Sequence, residues 1–89
     1  MTGQAELQLA VWVEDVWARV PVAAAPDWPL ERVKEEALRE AVGAAVNPTL
    51  YEVKFRGVLV SDEGASLTDL RIPNRAALAV LPTARRPAR

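Results

Sequence analysis

Two pairs of adjacent carboxylates, Glu14-Asp15 and Asp62-Glu63, and two serines, Ser61 and Ser66, are the first candidates for chemistry in this sequence. Paired carboxylates perform acid–base work or hold calcium only when burial or convergent oxygens distinguish them from solvated acids. Both pairs fall in segments that read as solvated turns, so neither is expected to act. A serine nucleophile needs a base beside it. The chain has no histidine, and neither lysine is expected near Ser61 or Ser66. It also has no cysteine, which removes disulfide scaffolds, zinc fingers, iron–sulfur sites and thiol catalysis. Four scattered glycines make no phosphate-binding loop. No catalytic residue, cofactor or metal is therefore expected, and function is sought in a surface.

The tryptophans mark that surface. Leu7, Leu9, Val11 and Val13 alternate with Gln8, Ala10, Trp12 and Glu14, the period of a half-buried strand. A second run puts Val16, Ala18, Val20 and Val22 on one face and Trp17, Arg19 and Pro21 on the other. A two-residue turn at Glu14-Asp15 pairs Val13 with Val16, Val11 with Ala18, Leu9 with Val20 and Leu7 with Val22, which keeps the aliphatics on one face. Glu-Asp is not the favoured turn chemistry, and a longer loop with a bulge is the alternative. Pro21 cannot donate to a ladder and suggests an edge strand. In this register Trp12 and Trp17 are cross-strand neighbours on the outer face, a pair worth about 0.2–1 kcal/mol to the sheet, with Arg19 placed to stack on them. Together with Ala10, Ala79 and Leu81, and rimmed by Lys54 and Arg19, they form an expected apolar patch. Such patches bind partners or second copies.

The remaining elements follow from period and punctuation. Asp27 is a candidate cap, and Pro29 suits a first helical turn. Leu30, Val33, Ala37, Leu38, Ala41, Val42 and Ala45 then recur at helical spacing, opposite Glu31, Arg32, Glu35, Glu36, Arg39 and Glu40. An amphipathic helix of about four to five turns is predicted, ended by Gly43 and Asn47-Pro48. Its glutamates read as a solvated stripe, and Trp28 as a lid over the helix start. A third strand is predicted over Leu50–Phe55, a tight turn at Gly57, a short strand over Val58–Val60, and a helical turn at Ser66–Leu70 capped by Ser66. The last strand is predicted over Ala76–Leu81, with Leu78 and Val80 inward and Pro82 as its stop. Residues 1–6 and 83–89 read as flexible ends, the second basic. One helix must cover one face of a mixed sheet of four to five strands, an α+β domain of ββαββ order.

Composition narrows the classes. With 51% hydrophobic and 26% charged residues, the chain reads as one soluble globular domain. Net charge is −1. Arg85, Arg86 and Arg89 hold three of the eleven basic residues, leaving eight against twelve acids in the body. An acidic body argues against nucleic acid as a partner. No apolar run is long enough for a membrane span, and no secretory signal opens the sequence, so cytoplasmic residence is expected. Nine arginines against two lysines, with abundant Ala and Val, suggest a GC-rich bacterial source.

The stretch from Val53 to Asn74 resembles ubiquitin and the β-grasp ubiquitin-like proteins. Phe55, Gly57, Val60, Asp62, Gly64, Ser66, Leu67, Asp69 and Ile72 each fall on a position of that family's pattern, with one extra residue near Glu63. Leu30 to Lys34 resembles the start of the family's helix, and the likeness covers about residues 7–82. It implies a β-grasp fold acting in protein–protein interaction, and says little about which interaction. The departures matter. Conjugated members and sulfur carriers end in diglycine, whereas no glycine follows Gly64 here, so activation and conjugation are not expected. The family's apolar recognition patch is remade, with Lys54, Ala79 and Leu81 at three of its positions and a loop shortened to about Glu14-Asp15. Standard ubiquitin readers are therefore not expected to bind. Two non-conjugating bacterial groups are similar: the YukD/EsaB-type proteins associated with type VII secretion, and the small ubiquitin-like subunit of multicomponent monooxygenases. A diglycine-free carrier is a further alternative.

Overall fold

Alternating aliphatics build the sheet that carries everything else. The computed structural model describes residues 6–83. Strands β1 (Leu7–Val13) and β2 (Ala18–Ala24) precede helix α1 (Leu30–Ala41). A 3₁₀ turn (Pro48–Leu50) leads into β3 (Tyr51–Phe55), then β4 (Val58–Val60) and β5 (Ala77–Pro82). The sheet order is β2-β1-β5-β3-β4. Only β1 and β5 run parallel; every other neighbouring pair is antiparallel. Helix α1 packs chiefly against β2 and β1. The core between the layers gathers Leu9, Val11, Val13, Val20 and Val22 with Leu30, Val33, Leu38, Val53, Leu67, Leu78 and Val80. Each such side chain contributes roughly 1.5–3 kcal/mol on burial.

The first hairpin differs from its expected register. Val13 faces Ala18, Val11 faces Val20, Leu9 faces Val22 and Leu7 faces Ala24. The connection is four residues long, Glu14–Trp17, and Trp17 ends it at φ 53°. A two-residue hairpin turn demands positive φ at both central positions (type I′) or at the first (type II′, where glycine is preferred), which Glu14 and Asp15 do not favour. The longer loop demands it at one. The register moves by two residues, so the aliphatic face stays inward, but Val16 is exposed rather than inward. The second hairpin follows its prediction. Phe55 faces Val58, and Arg56 and Gly57 take φ 57° and 78°, as a two-residue primed turn needs.

Helix α1 is shorter than predicted, twelve residues ending at Ala41. Gly43 at φ 135° breaks it, so Ala45 lies beyond it. Its start carries no side-chain cap, and Pro29 holds the cap position in place of Asp27. The carbonyls of Glu63 and Ala65 accept instead from the N–H groups of Glu31 (2.8 Å) and Leu30 (3.1 Å). The turn at residues 62–66 thus supplies from a distance what a capping side chain supplies locally. Ser66 caps its own turn, accepting from the Asp69 N–H at 3.0 Å. Leu50 belongs to the 3₁₀ turn, not to β3. Pro82 closes β5 as a paired residue opposite Tyr51 rather than stopping it beforehand. Thr83 donates to the Leu50 carbonyl. The expectations for residues 1–5 and for Arg85, Arg86 and Arg89 lie outside the described residues.

Candidate functional site

One row of side chains crosses the sheet on the face away from the helix. Register places Arg19 of β2 beside Trp12 of β1, Trp12 beside Ala79 of β5, Ala79 beside Lys54 of β3, and Lys54 beside Leu59 of β4. Paired residues share a face, and the partners of this row alternate with core residues Val11, Val53, Leu78 and Val80. The row is therefore outward. Trp12 is 41% exposed and Leu59 47%; Trp12 lies between Arg19 and Lys54 along the row, and Leu59 lies beyond Lys54 on the edge strand. A shallow hollow of about 260 Å³ lies along the row, lined among others by Trp12, Lys54, Ala79, Glu14 and Arg56. A second, of about 350 Å³, adjoins it around Ala10, Arg19, Pro21 and Arg75.

Of the seven expected patch residues, Trp12, Arg19, Lys54 and Ala79 thus come together along the row, and Ala10 lies two residues before Trp12 on the same strand face. The other two do not behave as expected. Trp17 sits in the β1–β2 turn, 79% exposed, and Arg19, not Trp17, is the cross-strand neighbour of Trp12. The cause is the four-residue turn, which carries Trp17 off the strand. Leu81 is only 8% exposed. It belongs to the central strand β5, opposite Glu52 of β3, and is buried where alternation alone placed it outward. Arg19 stacks on neither tryptophan. Among the described residues the arginine–ring contacts are Arg32 over Trp28 at 4.1 Å and Arg56 over Phe55 at 5.1 Å. Trp28 packs against the core at the helix start, as expected. Leu59 was missed, although its alternation with Val58 and Val60 places it outward.

The acidic turns have structural tasks. Lys34, 5% exposed, is the one buried charged residue among those described. Its Nζ pairs with Glu63 Oε1 at 2.5 Å and donates to the Tyr51 carbonyl at 2.9 Å. The pair ties α1 to the turn that caps it and to the start of β3. Asp15 accepts from the Tyr51 hydroxyl at 2.7 Å. That bond, then burial and the carboxylate charge, raise the tyrosine's pKa above its ordinary value. Among the described residues no three His, Cys, Asp or Glu side chains converge as a metal site would require.

One helix cradled on a mixed five-stranded sheet, with β1 and β5 parallel at its centre, defines the ubiquitin-like β-grasp fold. Solved structures match it across nearly the whole chain. The ubiquitin-like domain of an Arabidopsis thaliana protein aligns with TM-score 0.77 at 10% identity, covering all of this chain and 89% of that one. A de novo design based on ubiquitin aligns at 0.74 and 20% identity, covering 98% of this chain and all of its own. A ubiquitin of Caldiarchaeum subterraneum aligns at 0.73 and 10% identity, covering 93% and 100%. No family model matches the sequence, and no curated protein matches it. No described helix is long and apolar enough to cross a membrane.

Proposed function

We propose that this domain is a non-catalytic protein-interaction module that docks a protein partner through the outer face of its sheet. One observation carries the reading: Trp12, 41% exposed, stands mid-sheet between Arg19 and Ala79, with Lys54 one strand further on. A half-exposed tryptophan beside cations, over hollows on a rigid sheet, is the composition of a binding hot spot. Contact with a second copy through the same face is the weaker form of this association. The reading includes no conjugation to substrates. Its closest functional setting is that of the cytoplasmic, bacterial YukD/EsaB-type proteins.

The test is capture from native lysate with wild type beside Trp12→Glu and Lys54→Glu, each checked for a native amide spectrum. Both variants are expected to fold and to lose the partner. Folded variants that retain it would overturn the reading. Incubation with ATP and an activating enzyme, followed by mass spectrometry, is expected to yield no adenylate.

A further inference from the structure

Two strands border the sheet, β2 and β4, and only one is guarded. Pro21 gives β2 a residue without an N–H, a common protection of an edge. Strand β4 is Val58-Leu59-Val60, without charge or proline, and Val58 and Leu59 are both exposed. Register fixes which of its backbone groups are open. The Val80 carbonyl accepts from the Glu14 N–H, on the β1 side of β5. Backbone direction alternates along a strand, so Ala79 turns its groups the other way, toward Lys54 of β3. By the same alternation Val53 and Phe55 bond Val60 and Val58 of β4. Leu59, between those two, directs its N–H and carbonyl to the open border. Among the described residues neither group has a backbone partner beyond the strands.

We propose that β4 pairs antiparallel with β4 of a second copy of this chain, joining two sheets into one. The strand is complementary to itself. Centred on Leu59, the pairing sets Leu59 opposite Leu59 with both backbone bonds exchanged. Val58 then faces Val60 of the other copy, twice over, on the helix side. The same register carries the Arg56-Gly57 turn alongside Ser61-Asp62 of the other copy, so a cation meets a carboxylate at each end. Among the described residues neither Arg56 nor Asp62 is in an ion pair. A slip of two residues sets Leu59 opposite Gly57 or Ser61, and Arg56 or Asp62 opposite a valine. A twofold axis normal to the sheet leaves both outer faces on one side. The rows from Arg19 to Leu59 then meet end to end, with the two Trp12 residues seven strand spacings, about 34 Å, apart. The dimer presents the outer face twice, and a partner with two matching sites gains avidity. So short an edge buries far less than the roughly 1,000 Å² of a stable interface, and its dissociation constant is expected at about 0.1–1 mM. The contact is separate from the outer face and stands whether or not Trp12 docks a partner.

Sedimentation velocity of the full chain between about 10 μM and about 1 mM is expected to show monomer passing to dimer. In ¹⁵N spectra the Leu59 amide is expected to shift with concentration, and its hydrogen exchange to slow. Leu59→Lys sets two cations against each other at the centre and is expected to weaken dimerisation about tenfold or more while keeping a native amide spectrum. Asp62→Arg is expected to weaken it about fivefold at low salt, and the added change Arg56→Asp to restore it. A local effect of either charge on its own chain predicts no such rescue. Trp12→Glu is expected to leave the dimer unchanged. A chain that stays monomeric at about 1 mM would overturn the proposal. So would a dimer that survives Leu59→Lys, one that Trp12→Glu abolishes, or a charge swap that restores nothing, since each places the contact elsewhere.

Discussion

The two faces of the sheet are built from alternate residues of the same strands and answer to different constraints. Val11 is fully buried beneath the helix, and Trp12, the next residue, is 41% exposed on the far side. The inner face is aliphatic, and its charged neighbour Lys34 is matched by Glu63 and the Tyr51 carbonyl. The outer face mixes Trp12, Ala79 and Leu59 with Arg19 and Lys54. Stability is concentrated on one side, so the other is free to carry recognition. Substitutions one position apart should therefore differ in kind.

The sharpest contrast is Val11→Glu, which places a carboxylate in a dry interior and is expected to leave the chain unfolded, with no dispersed amide spectrum. Leu38→Ala, across the same core, is expected to cost about 2–5 kcal/mol in urea unfolding. Lys34→Ala should cost about 2–3 kcal/mol, below the usual toll for a broken buried pair because Glu63 keeps some contact with water. Tyr51 gives an alkaline signature. Its folded pKa is raised, so the unfolded chain loses the phenolic proton first as pH rises. The stability it contributes is intact below about pH 10 and is lost as pH climbs through the folded value. Thermal melts at rising pH should show that loss in wild type and a smaller one in Tyr51→Phe. Smallest is Trp12→Glu, expected to change stability by no more than about 0.5 kcal/mol. A larger loss there would mean that the outer face, too, is structural.

Local chemistry made much of this legible. The alternation from Leu7 to Val13 and from Ala18 to Val22, the helical spacing from Leu30 to Leu38 and the tight turn at Gly57 each depend on near neighbours, and each appears as read. The misreadings share a cause. The length of the first turn, the burial of Leu81 and the cap on α1 depend on residues distant in sequence. Trp17 reads as a strand residue by alternation alone. Only pairing with β1 shows that it lies beyond the ladder. Glu63 reads as one of two solvated turn acids. Only the docking of its turn on α1 brings it to Lys34.

The order of elements, the inward faces of the strands and the one helix that must cover them were set by residue type and period, because burial of an apolar stripe is a local demand repeated along the chain. Which outward residues meet was decided by tertiary structure. The row from Arg19 to Leu59 draws one side chain from each of five strands, and neighbours across a sheet follow from register, which no single strand contains.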